Sequence, residues 1–80
     1  MPHTILRLPA VLKRRGKSRS AHYADIKAGL FVKPVKLGPR ARGTPEDEVE
    51  ALVAATIAEK SDDEIRALVV KLVAARKAAK

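Results

Sequence analysis

Gly16 separates two stretches that each carry helical signals, and Ser18 follows two residues later. A glycine readily takes the left-handed conformation that ends a helix, and a serine oxygen accepts from the unpaired amides that begin the next. The pair therefore predicts two helices joined by about three residues, the spacing of a helix-turn-helix. The first helix is expected from about Pro9, which suits an opening turn, to Arg15, with Leu8, Val11 and Leu12 as its buried edge. The second runs from Ser18 to about Ala28 and stops at Gly29. Tyr23 and Ile26 share its inner face, Tyr23 as a core ring with an exposed hydroxyl, and Phe31 beyond it is core throughout.

The segment around this turn, Lys13-Arg14-Arg15-Gly16-Lys17-Ser18-Arg19-Ser20, is cationic or hydroxylated wherever it is expected to meet solvent. The charge is unevenly placed along the chain. Residues 1–43 hold eleven Lys or Arg against Asp25 alone, whereas residues 44–80 hold six against eight carboxylates. A field of this kind favours a polyanion, because each phosphate neutralised releases condensed counterions. Single-stranded nucleic acid calls for aromatic stacking platforms, and one Phe with one Tyr supplies too few. Duplex DNA is the better fit.

Eighty residues make one small domain with a thin core of Leu, Val, Ile and Ala. The absence of cysteine excludes disulfides, thiolate zinc sites and thiol nucleophiles. No apolar run approaches the roughly 18 residues of a membrane span, and the first residues lack a signal-peptide pattern. A soluble, cytoplasmic, nucleoid-associated protein without a membrane partner is expected.

After the second helix, residues 33–43 alternate apolar and basic side chains around Gly38-Pro39, as a short hairpin does. Val35 and Leu37 are expected inward and Lys36 outward, with Arg40 and Arg42 towards the tip. Thr44-Pro45-Glu46-Asp47 then reads as a capping hydroxyl, a proline at the first helical position and acids at the positive end of the dipole. Val49, Leu52, Val53 and Ile57 continue that helix to about Glu59. Ser61-Asp62-Asp63-Glu64 is a capping box opening a fourth helix with a stripe of Ile65, Leu68, Val69, Leu72 and Val73, and Lys71, Arg76, Lys77 and Lys80 give it a basic end. The expected division is a DNA-binding unit over residues 1–59 and an amphipathic helix over 60–80, which packs on that unit or mediates self-association.

In this arrangement the second helix enters the major groove with Arg19, Ser20 and His22 nearest the base edges, flanked by Tyr23 and Lys27. Arg14, Arg15, Lys17, Lys27, Lys36, Arg40 and Arg42 hold phosphates, and about six such contacts give a log–log salt slope near −5. Catalysis is not expected. Ser18, Ser20, His22 and Asp25 lie close in sequence, but residues two and three apart radiate in different directions from a helix. His3 and His22 have no metal-ligand neighbours at suitable spacing, and the glycines form no phosphate-binding signature, so no metal or cofactor is expected.

Taken together, the run Ile5-Leu6-Arg7-Leu8-Pro9-Ala10-Val11-Leu12, then Ser18-Arg19-Ser20 with Tyr23, Gly29 and Phe31, then Lys33-Pro34-Val35-Lys36-Leu37-Gly38-Pro39-Arg40-Ala41, resembles the AlpA family over about residues 5–59. Lys60-Ser61-Asp62-Asp63-Glu64-Ile65 resembles a further stretch of one branch, without the glycine that precedes it there. The resemblance implies a winged helix-turn-helix of the MerR and excisionase type, mainly helical with a small β-hairpin wing. Ser18 to Lys27 becomes the major-groove helix and Lys36 to Arg42 the wing. The chain departs from the family pattern at Thr44, where many members have tryptophan, at Arg42, where a smaller apolar residue is common, and at His22 and Asp25, which are often aliphatic.

The resemblance implies a sequence-specific transcriptional regulator of a prophage or other mobile genetic element. The alternative it carries is an excisionase, a recombination directionality factor that assembles on and bends attachment-site DNA beside an integrase. A third class is a protein-interaction module held through the fourth helix. The acids of residues 46–50 and 62–64 suit head-to-tail association along DNA, and dimerisation through the fourth helix competes with it.

Overall fold

The computed structural model describes residues 4–78, and it opens on a strand that no periodicity foretells. β1 (Ile5–Leu6) leads into α1 (Leu8–Arg15) and α2 (Arg19–Ala28), followed by β2 (Val35–Lys36), β3 (Arg42–Pro45), α3 (Glu46–Ile57) and α4 (Asp62–Ala78). The strands form an antiparallel sheet in the order β1-β3-β2. Ile5 and Leu6 pair with Pro45 and Thr44, and Val35 and Lys36 pair with Gly43 and Arg42. This is a winged helix-turn-helix with an added C-terminal helix.

Thr44 is a strand residue and not the expected helix cap. Its partner is Leu6, its side chain is buried, and the N-cap of α3 is Pro45. A hydrogen bond of 2.7 Å from the Glu46 amide to the Thr4 carbonyl ties the helix start to the strand instead. Gly43 makes this crossing possible. A Cβ there would lie 2.5 Å from Ile5 Cγ2 and 2.9 Å from the Leu6 carbonyl oxygen. Leu37, expected inward, is 44% exposed, because β2 ends at Lys36 and the chain beyond it projects past the core. Its Cδ1 rests over Gly43.

Val11, Phe31, Val32, Val49, Leu52 and Val69 form one buried cluster, with Leu6, Ile26, Ile65, Leu68 and Leu72 packed against it. The core thus draws on α1, the segment after α2, α3 and α4. The last helix folds back through its stripe, and it is held at its far end by Arg76, whose guanidinium grips the buried Glu48 carboxylate at 2.5–3.1 Å. Its start is the capping box: the Glu64 amide donates to Ser61 Oγ at 3.2 Å and the Ser61 amide to Glu64 Oε1 at 3.1 Å. Among the described residues no helix is long and apolar enough to cross a membrane. Met1 to His3, Ala79 and Lys80 lie outside the described residues.

Candidate nucleic-acid interface

The turn between α1 and α2 is built as its residues require. Gly16 has φ 67° and its amide donates to the Leu12 carbonyl at 2.8 Å; Ser18 caps α2 by accepting from the Ala21 amide at 3.2 Å. Gly29, at φ 80°, ends α2. Local rules fix where the helix begins and stops, but its rotation about its own axis is fixed by a polar cluster underneath.

Arg15 lies at the centre of that cluster. Its guanidinium carbon sits 4.1 Å above the Phe31 ring, one nitrogen bonds His22 Nδ1 at 2.8 Å, and another bonds Asp25 at 2.6 Å. Lys17 adds a second cation at Asp25 at 2.5 Å. A guanidinium only donates, so His22 Nδ1 accepts and the ring proton is on Nε2. Burial, reinforced by the Arg15 charge, lowers the His22 pKa below its ordinary value and keeps the ring neutral. Burial pushes the Asp25 carboxyl upward, but hydrogen bonds from Lys17 and Arg15 outweigh it and the net shift is downward.

This cluster corrects three expectations. His22, expected at the base edges, is 3% exposed and makes an edge contact with Phe31, so it supports α2 from inside. Arg15, expected on a phosphate, has a side chain 9% exposed and is engaged with Asp25. Tyr23 is half exposed and not a core ring, because His22 takes the inward position beside it. Arg14 and Lys17 are at the surface but already paired, Arg14 with Glu46 at 2.9 Å and Glu50 at 3.6 Å, Lys17 with Asp25. The signal that could have found His22 is its place four residues before Ile26, on the face that Ile26 turns to the core.

With His22, Asp25 and Ile26 turned inward, α2 presents Arg19, Ser20, Ala21, Tyr23, Ala24, Lys27 and Ala28 to solvent. Most of these are small, so the helix backbone can approach a partner closely. Tyr23 and Ile26 form one wall of a groove of about 460 Å³; Pro34, Arg42, Gly43 and Thr44 form the other, with Leu8, Val11 and His22 between. The helix and the wing therefore flank one cleft. In the wing, Lys36 stands directly opposite Arg42 on the paired strands, and both are exposed, as is Arg40 beyond them. Lys33 at the root of the wing, which is missing from the expected set, is exposed as well.

Among the described residues, Arg7, Lys13, Arg19, Lys27, Lys33, Lys36, Arg40, Arg42 and Lys71 enter no ion pair, whereas Arg14, Arg15, Lys17, Lys60, Arg66 and Arg76 do. Six of these nine lie on α2, the segment after it and the wing, while Arg7 and Lys13 lie at α1 and Lys71 on α4. Three acids of α3 are engaged within the molecule, Glu46 and Glu50 by Arg14 and Glu48 by Arg76.

The family described as prophage CP4-57 regulatory protein (AlpA) matches residues 4–56. No curated protein and no solved structure matches the chain.

Proposed function

Because the chain belongs to the AlpA family of prophage regulatory proteins, we propose that it is a sequence-specific duplex-DNA-binding regulator of a mobile genetic element. The observation that carries this reading is the set of six cations without acidic partners on α2, the segment after it and the wing, of which Lys33 and Arg42 line the cleft itself. Lys36 opposite Arg42 is its sharpest part. Like charges directly across a strand pair destabilise a hairpin, and a polyanion removes that penalty.

In this reading α2 enters the major groove. Arg19 offers a fork for guanine O6 and N7, worth about 1–3 kcal/mol of discrimination. Ser20 is a weaker reader, and Ala24 suits contact with a thymine methyl. Lys27, Lys36, Arg40 and Arg42, with Lys33 beside them, meet the phosphates. With Arg15 withdrawn and Arg14 and Lys17 neutralised, about five phosphate contacts remain, and the expected log–log salt slope is about −4.5.

Selection from a randomised duplex pool, followed by fluorescence anisotropy at increasing salt, tests this. A recovered consensus, a slope of that size and loss of consensus preference in Arg19→Ala support it. A flat salt response or a pool without enrichment overturns it. Footprinting then separates the two regulatory roles: a site overlapping a promoter means transcriptional control, and repeated sites beside an attachment site mean excision with an integrase.

A further inference from the structure

α4 lies outside the residues that match the family, yet it reaches both parts of the cleft. Arg66, in its second turn, donates from Nε to the Ala28 carbonyl at 3.0 Å, at the end of α2. Its stem lies flat over Gly29, with Cγ 3.8 Å from where a Cβ would stand. Ten residues later, Arg76 donates from Nη2 to the Lys33 carbonyl at 2.9 Å, at the root of the wing. The two arms thus grip opposite ends of one connection, residues 28–33, which joins the helix to the wing.

We infer that α4 is a strut that sets the spacing between α2 and the wing, with Arg66 and Arg76 as positioning residues. A cation at a helix C-terminus is commonplace, and so is an arginine on a buried carboxylate. What neither habit explains is that both arms end on carbonyls of the same six-residue connection. Residues 29–34 belong to no helix or strand, so no ladder of their own sets their length. Ten residues of helix span about 15 Å, and a helix is stiff over that length. Glu48 completes the device: it holds the Arg76 guanidinium on two nitrogens, so that the bond to Lys33 is made from a fixed position. Phe31 and Val32, in the middle of the connection, share a cluster with Val69 of α4. The strut therefore touches the connection at both ends and in the centre.

This inference rests on the DNA-binding reading, and its test is made on the full chain with a duplex recovered by selection and a random-sequence duplex of equal length. Arg66→Met removes one arm at the surface. The pair Glu48→Met with Arg76→Met removes the other while leaving apolar groups of similar volume, a replacement that buried ion pairs often tolerate. Lys71→Met removes one charge from an exposed position of the same helix that enters no ion pair among the described residues.

Each strut variant is expected to lose about fivefold in affinity for the selected duplex, the worth of one hydrogen bond, and under about twofold for the random one. Lys71→Met is expected to change both by under about twofold, and Arg66→Lys, which keeps a donor at the end of α2, to recover most of the loss. Strut variants that bind the selected duplex as well as Lys71→Met does overturn the inference. Should the double variant fail to fold, Arg66→Met decides alone. A wild-type chain that enriches no duplex overturns the DNA-binding reading itself, a different result from any of these.

Discussion

His22 is a titratable ring in a space enclosed by Phe31, Tyr23 and the Arg15 guanidinium, and protonating it would set a second positive charge beside the first. Its folded pKa lies below the ordinary 6.5, so at higher pH the ring is neutral in both states and contributes no pH dependence. Below that value the unfolded chain takes up a proton that the folded chain refuses, and stability falls as the pH drops. Asp25 acts in a separate window: its folded pKa is below the ordinary 3.8, so its contribution is complete above that value and lost only in stronger acid. Urea denaturation at pH 7.5 and 5.5 is expected to show a loss at the lower pH that His22→Leu largely abolishes; an equal loss in the variant would assign it to other groups. The same residue shows why the site was only partly legible. His22 stands four residues before Ile26, and the spacing that predicts Ile26 inside also predicts His22 inside. Its polarity pointed outward and its position inward, and position prevails when Arg15 can satisfy the ring. Arg15 itself, one of three consecutive cations, carries no local mark that separates an interior guanidinium from a surface one.

The helices were legible because their ends are local chemistry. Gly16, Ser18, Gly29 and Ser61 each act within four residues of their own position, and each ends or starts a helix as its type requires. Thr44 was not, because its strand partner Leu6 is 38 residues away and a two-residue strand has no period to detect. One end is irregular: Glu59 follows α3 with φ 56°, a left-handed conformation that suits glycine. Glu59→Gly is expected to raise stability by about 0.5–1 kcal/mol, measured by thermal or urea denaturation; a loss would show that the glutamate side chain contributes more than the backbone costs. The wing carries the opposite balance. Arg42→Thr relieves the charge facing Lys36 and places a β-branched residue in a strand, so stability is expected to rise by a few tenths of a kcal/mol, about the size of a cross-strand pair. The same change is expected to weaken duplex binding and to make the salt slope shallower by about 0.9. An unchanged slope would remove Arg42 from the phosphate contacts.

At the scale of the molecule, sequence suggested a boundary near residue 59, where the capping box begins a new helix, but the core crosses it. Val69, 9% exposed, belongs to the same cluster as Val11, Phe31 and Leu52, and Arg76 reaches both Glu48 and the Lys33 carbonyl. A chain of 80 residues has little core to divide. Losing α4 would uncover Phe31 and Val32, and with them the connection that spaces helix and wing. Unfolding is therefore expected to be a single transition in which α4 and the helix-turn-helix melt together. Val69→Ala tests this from α4. Removing two methyl groups from a closed site is expected to cost about 2 kcal/mol, roughly 10 °C in melting temperature for a domain of this size. Amide hydrogen exchange identifies which residues bear that cost. If Val11 and Leu12 in α1 lose protection in step with Leu68 and Leu72 in α4, the last helix is part of the folding unit that presents the cationic cleft. If only α4 loses protection, it is a separable appendage, and the cleft's geometry has to be set by the first 57 residues alone.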